Sequence, residues 1–220
     1  MKRNPILSLT PTPLPIVDAA PSKGTVVTHS GYSFDVPWSG VGSKQTKNFD
    51  VMEVYSFGSG VGSTFTGPDP KRGDLIDTVK KNIGGEKTIT LFGPGTTKSN
   101  YAFHKAILGL TPSAMKPWMS RREAVRTSML LTSKAISSIG GDTGLFSVQA
   151  NDWKGFQFGD PAKRPKTITL QLYDSGDRHI EITLSPGKGA DATVTQADIN
   201  RVLLTLRSVG PAAADSAGAN

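Results

Sequence analysis

The spacing of apolar positions changes several times along the chain, and each change predicts an element. Tyr32, Phe34 and Val36 alternate with Ser33 and Asp35 until Pro37 ends the run, as expected of a half-buried strand. Residues 51–57 form a second β-prone run, broken by the glycines of 58–62, and 63–66 a short third. Leu75, Ile76, Val79 and Ile83 then share a helical face over 74–83, closed by Gly84-Gly85. Lys87–Phe92 reads as a strand. Ser99 or Asn100 caps a helix carrying Phe103, Ile107 and Leu110, and Thr111-Pro112 stops it. A longer helix opens on a Ser120/Glu123 capping box and carries Ala124, Leu131, Ala135 and Ile139 on one face.

Two hairpins follow. Residues 145–149 and 155–158 flank Asn151-Asp152, and 167–173 and 179–184 flank the polar turn 174–177. In the second hairpin Ile168, Leu170 and Leu172 face one way, as do Ile180, Ile182 and Leu184. One side of it should therefore pack on helices and the other face water. A last helix starts at Thr195/Asp198, a variant capping box, and stripes Ile199, Val202, Leu203 and Leu206 before Gly210-Pro211. Strands and helices are partly segregated, which predicts an α+β fold: a mostly antiparallel sheet covered by helices.

Composition sharpens the boundaries. Residues 1–22 are rich in Pro, Thr and Ala and read as a disordered arm; 210–220 read as a low-complexity tail; 23–209 remain as one domain. No run approaches the ~20 apolar residues that cross a bilayer. Prolines 11, 13 and 15 interrupt what would be a signal-peptide core, so the chain reads as cytoplasmic by default, or periplasmic if a signal peptide is missing. The chain has no cysteine, which removes disulfides, thiolate nucleophiles and Cys-based zinc sites. The formal charge of +7 favours acidic partners, but the basic residues fall in loose groups rather than a tract of the kind that binds nucleic acid.

The chemical motifs are weak. Phe92–Ser99 sits where a phosphate loop would, yet Phe92 and Thr97 occupy positions where that loop needs glycine for backbone N–H groups to reach phosphate. Gly58–Gly62 lacks the third glycine of a dinucleotide fingerprint. His29, His104 and His179 lie in separate elements, with no pair at i, i+4 spacing for a metal. A Ser/Thr–His hydrolase site would have to assemble in space. The sequence implies no catalytic set, no metal and no cofactor. Its candidate ligand-binding residues are Arg121, Arg122 and Arg126 at a helix start, where an anionic ligand could bind, and Trp38 and Trp153 beside turns, as aromatic anchors or as packing.

The strand Gly31–Trp38, the segment Gly155-Phe-Gln-Phe158, the long hairpin and a closing helix over 197–208 together resemble the PsbP-like superfamily across residues 25–209. That superfamily includes the extrinsic subunit P of photosystem II and a Ran-binding nuclear import factor. The patterns Ser99-Asn100-Tyr101, Thr111-Pro112 and Asp198-Ile199-Asn200 resemble an uncharacterised bacterial branch. The resemblance implies an α-β-α sandwich and a non-enzymatic accessory role in contact with another protein. It carries over no functional residue, because the superfamily has no common active site.

Overall fold

The computed structural model describes residues 5–17, 24–47, 52–68, 75–137, 143–187 and 192–209. Its strands are β1 (Thr12–Pro13), β2 (Thr25–His29), β3 (Tyr32–Val36), β4 (Val41–Lys47), β5 (Met52–Phe57), β6 (Gly62–Thr66), β7 (Leu145–Ala150), β8 (Trp153–Phe158), β9 (Ile168–Tyr173), β10 (His179–Ser185) and β11 (Arg207–Ser208). Its helices are α1 (Leu75–Ile83), α2 (Gly85–Phe92), α3 (Asn100–Gly109), α4 (Arg121–Ser137) and α5 (Gln196–Thr205). The fold is α+β. An eight-stranded sheet runs β1-β7-β8-β9-β10-β6-β5-β4, antiparallel except for the β1–β7 pair, and a small sheet runs β11-β3-β2.

The strand register sorts side chains between the two faces. Glu53, Phe65, Ile182, Leu170 and Gln157 stand opposite one another in one row across β5-β6-β10-β9-β8. Rows of this kind build the main core, in which Phe65, Ile168, Leu170, Leu172, Ile180 and Ile182 meet Phe34 of β3 and Ile199, Val202 and Leu203 of α5. Burying each such side chain contributes roughly 1.5–3 kcal/mol. The strands approach closely here: a Cβ on Gly155 would lie 2.1 Å from the Gln171 carbonyl oxygen, so only glycine fits. The Thr195/Asp198 capping box of α5 is formed in both directions.

The opposite face is closed over β7–β9 by α3 and by the N-terminal segment. Leu108 packs with Leu145, Phe156, Phe158 and Ile6. Around α3, a further cluster joins Ile76 of α1, Phe92 of α2, Phe103 and Ile107 of α3, and Leu130 of α4. Strand β9 is therefore covered on both sides, whereas β10 alternates between buried and half-buried positions, so the expected wet face of that hairpin survives only on β10.

Several expectations change. Residues 87–92 belong to helix α2, not a strand. Thr88 and Phe92, one helical turn apart, are the buried positions, while Ile89 is exposed. The Thr88 hydroxyl donates back to the Gly84 carbonyl, and Phe92 meets Phe103 edge-on at 5.1 Å. The last helix ends at Thr205, and Arg207–Ser208 turn away to pair with β3. Strands β2 and β4 have no counterpart in the expected elements. Over residues 5–17 the arm is packed rather than free: Ile6 is buried, and Thr12–Pro13 pair in parallel with β7. The tail 210–220 and Asp74 lie outside the described residues.

Candidate functional site

The three histidines settle into two environments. His104 of α3 is buried against Phe156 and Phe158, with Nδ1 2.9 Å from the Tyr173 hydroxyl. Burial, and then the neighbouring His179, push its pKa down to about 3. His179, tilted against the Tyr173 ring, is lowered to about 4 by burial. Both are neutral near pH 7. Among the described residues neither is bonded to a carboxylate, the partner that would orient a catalytic base.

His29 lies at the end of β2, where its Nδ1 is 3.0 Å from Glu53 Oε1 on β5. The same oxygen is 2.8 Å from Lys44 Nζ of β4, and the Tyr55 hydroxyl donates to Glu53 Oε2. Burial and the Glu53 carboxylate raise the Tyr55 pKa, so it stays a donor. The buried carboxylate thus has three partners, as a desolvated charge requires, and it ties the small sheet to the large one. The tyrosine hydroxyl sits on the carboxylate and not on the histidine, so nucleophile, base and acid do not line up as a relay. Among the described residues no three His, Asp or Glu side chains group to hold a metal.

The loop that resembles a phosphate loop leads into an occupied helix end. Asp177, at a left-handed φ of 62° in the β9–β10 turn, accepts through its carboxylate from the backbone N–H groups of Asn100 and Tyr101. Ser99 Oγ accepts from Ala102 N. The donors that would hold phosphate at α3 are thereby consumed by the protein's own carboxylate, which also suits the positive end of the helix dipole.

Of the five binding candidates, two are core residues. Trp38 and Trp153 are only 8% and 4% exposed and pack within the main cluster, Trp38 on Phe57 and Trp153 on Tyr32, so the packing alternative describes them and neither is an exposed anchor. The aromatic at the surface is Trp118, which is 81% exposed in the turn before α4. In the sequence Trp118 follows Pro117 and so sits beside a turn just as Trp38 and Trp153 do, which does not separate the three. The signal that does is tertiary: among the described residues no apolar strand or helix face covers Trp118.

Arg121, Arg122 and Arg126 are exposed on the first turns of α4. The Arg122 guanidinium donates to the Thr90 carbonyl at the end of α2, so it braces the two helices. Glu123 accepts from the backbone and hydroxyl of Ser120, which hold its carboxyl below the ordinary range, with Arg126 adding to the effect. Among the described residues neither Arg121 nor Arg126 enters an ion pair. Beside them an open apolar groove of about 280 Å³ runs between α4 and the N-terminal segment, lined by Leu7, Met115, Ser128, Leu131, Thr132 and Ala135.

This region also holds most of the charge. Residues 93–137 contain seven lysines and arginines and one carboxylate, Glu123, an excess of six out of the chain's +7. Lys134 is one of the seven but is fully buried. Its ammonium donates to the carbonyls of Leu9 and Leu110, joining the N-terminal segment, the end of α3 and α4, and burial lowers its pKa to about 8. Among the described residues no helix is long and apolar enough to cross a membrane. No protein-family model, no curated protein and no solved structure matches the chain.

Proposed function

We propose that this chain is a non-enzymatic accessory domain that binds another protein, with Trp118 and the outer face of α4 as its docking surface. The observation that carries the reading is Trp118, 81% exposed in the turn that joins Met115, a residue of the open apolar groove, to α4, whose Ser128, Leu131, Thr132 and Ala135 line the same groove. Met115, in the same turn region, and Val125, on the first turns of α4, are also exposed. Tryptophan, methionine and arginine are the residue types enriched at interface centres, and a large aromatic left in water gains most from being covered. The non-enzymatic half rests on the histidines. His104 is buried and His179 half-buried, both neutral near pH 7 and, among the described residues, without a carboxylate, and the third, His29, is engaged by Glu53 between the two sheets. The PsbP-like layout belongs to the same proposal, supported by a mostly antiparallel sheet with helices on both faces.

A photo-crosslinking amino acid placed at position 118, and separately at the exposed Val26 on the small sheet, tests the docking surface in extract of the source cells. A saturable adduct from position 118, competed by excess unmodified protein and missing from position 26, is expected. Equal labelling from both positions, or none, overturns the surface. Turnover of a chromogenic ester that His104→Ala or His29→Ala abolishes would overturn the non-enzymatic reading.

A further inference from the structure

The groove and the charge beside it share one line along α4. Arg121, Val125, Ser128, Thr132 and Ala135 recur at i, i+4, i+7, i+11 and i+14, the spacing of one stripe on a helix. Ser128, Thr132 and Ala135 line the groove, and Val125 is exposed between them and Arg121. Arg121, which enters no ion pair among the described residues, thus stands about 10 Å, or seven residues of helical rise, from the start of the groove wall. Arg122 and Arg126 fall on the flank of the helix, and Arg122 is already held by the Thr90 carbonyl. Over residues 115–133 Lys116 and the three arginines face one carboxylate, and Ser120 occupies that one.

We infer that the partner presents an acidic amphipathic helix, with an apolar side chain seated in the groove between Leu7, Met115 and Leu131, and a carboxylate about two turns away on Arg121. This rests on the docking reading above and names the chemistry of its partner. Helix-in-groove recognition supplies affinity through the apolar anchor, and charge supplies register and on-rate. A nucleic acid or an anionic lipid surface would use the cations but leave the groove uncovered. A polyanion would also need a row of phosphate contacts, whereas only one of the three arginines lies on the groove stripe.

The test uses the full chain and two synthetic helical peptides. One carries a Leu anchor with Glu seven residues away, and its twin has Lys in place of Glu. Polyuridylate and phosphatidylserine vesicles serve as competing probes. Binding is followed by Trp118 fluorescence and by backbone amide shifts. The Glu peptide is expected to bind, to move amides over 115–135, and to weaken as salt is raised to about 0.5 M. Arg121→Glu should weaken it about fivefold and Arg126→Glu about twofold or less, both with unchanged circular dichroism. Met115→Asp should remove binding. If the Lys twin binds as tightly and still needs Met115, the acidic-partner inference fails while the docking surface stands. It fails equally if Arg126→Glu costs as much as Arg121→Glu, if polyuridylate or vesicles outcompete the peptide irrespective of Met115→Asp, or if the Glu peptide does not bind up to about 1 mM. Crosslinking at position 118 decides the docking surface separately.

Discussion

The two faces of the eight-stranded sheet are closed by different kinds of interaction. The face under α5 and the small sheet is sealed by apolar side chains from three layers, and its buried carboxylate Glu53 has three partners. On the face under α3, polar ties from distant parts of the chain pin the helices: Asp177 on the start of α3, Lys134 on the carbonyls of Leu9 and Leu110, Arg122 on Thr90. The first arrangement spends its large aromatic and aliphatic side chains on the core. The second leaves apolar side chains at the surface and, among the described residues, Arg121 and Arg126 outside any ion pair, because polar ties fix helices in place without covering their outer faces.

Acid should expose the contrast most strongly. His104 and His179, both on the α3 side, have folded pKa values depressed to about 3 and about 4. Below the ordinary histidine value near 6.5 the unfolded chain takes up protons that the folded chain refuses. Stability is therefore full above about pH 6.5 and falls as pH drops toward 4, by about 1.4 kcal/mol per pH unit for each histidine. Urea unfolding at pH 7 and pH 5 measures this, and His179→Gln should roughly halve the loss. An unchanged midpoint would mean that the α3 side is open to water.

In the main core, Leu170→Ala should cost about 3 kcal/mol, since the site is walled by both sheets and cannot collapse. On the outer face, Trp118→Ala should stay within about 0.5 kcal/mol. Equal costs in chemical denaturation would erase the distinction between a sealed core and a surface held ready for a partner. Lys134→Met should cost roughly 1–3 kcal/mol by orphaning two carbonyls, and amide exchange should quicken over residues 5–14 ahead of the rest of the chain. Asp177→Ala should cost about 1 kcal/mol, with faster exchange confined to the first turn of α3.

The elements read most readily from sequence were those whose signals are local. Capping boxes at Ser120/Glu123 and Thr195/Asp198, and the paired stripes of the 168–184 hairpin, appear where expected because the residues that specify them lie within a few positions of one another. Strand β4 escaped because an edge strand buries little and keeps polar residues such as Lys44 and Gln45 on its surface. Segment 87–92 reads as a strand because Thr88, Ile89 and Thr90 favour strands in isolation, whereas in the fold it is helical, with Phe92 docked on Phe103. Of the candidate site, Arg121, Arg122 and Arg126 were legible as a basic helix start. Trp118 was not, because Trp38 and Trp153 sit beside turns too.

By itself the sequence determined the α+β class, most of the periodic elements and the placement of basic residues, since these depend on side-chain spacing and covalent order. Only the tertiary structure decided which tryptophan met water, that the apparent phosphate loop ends on the protein's own aspartate, and that a proline-rich arm helps wall a groove on α4. Each of those outcomes joins residues far apart in the chain, where burial and hydrogen bonding depend on what the fold brings together and not on the neighbours in sequence.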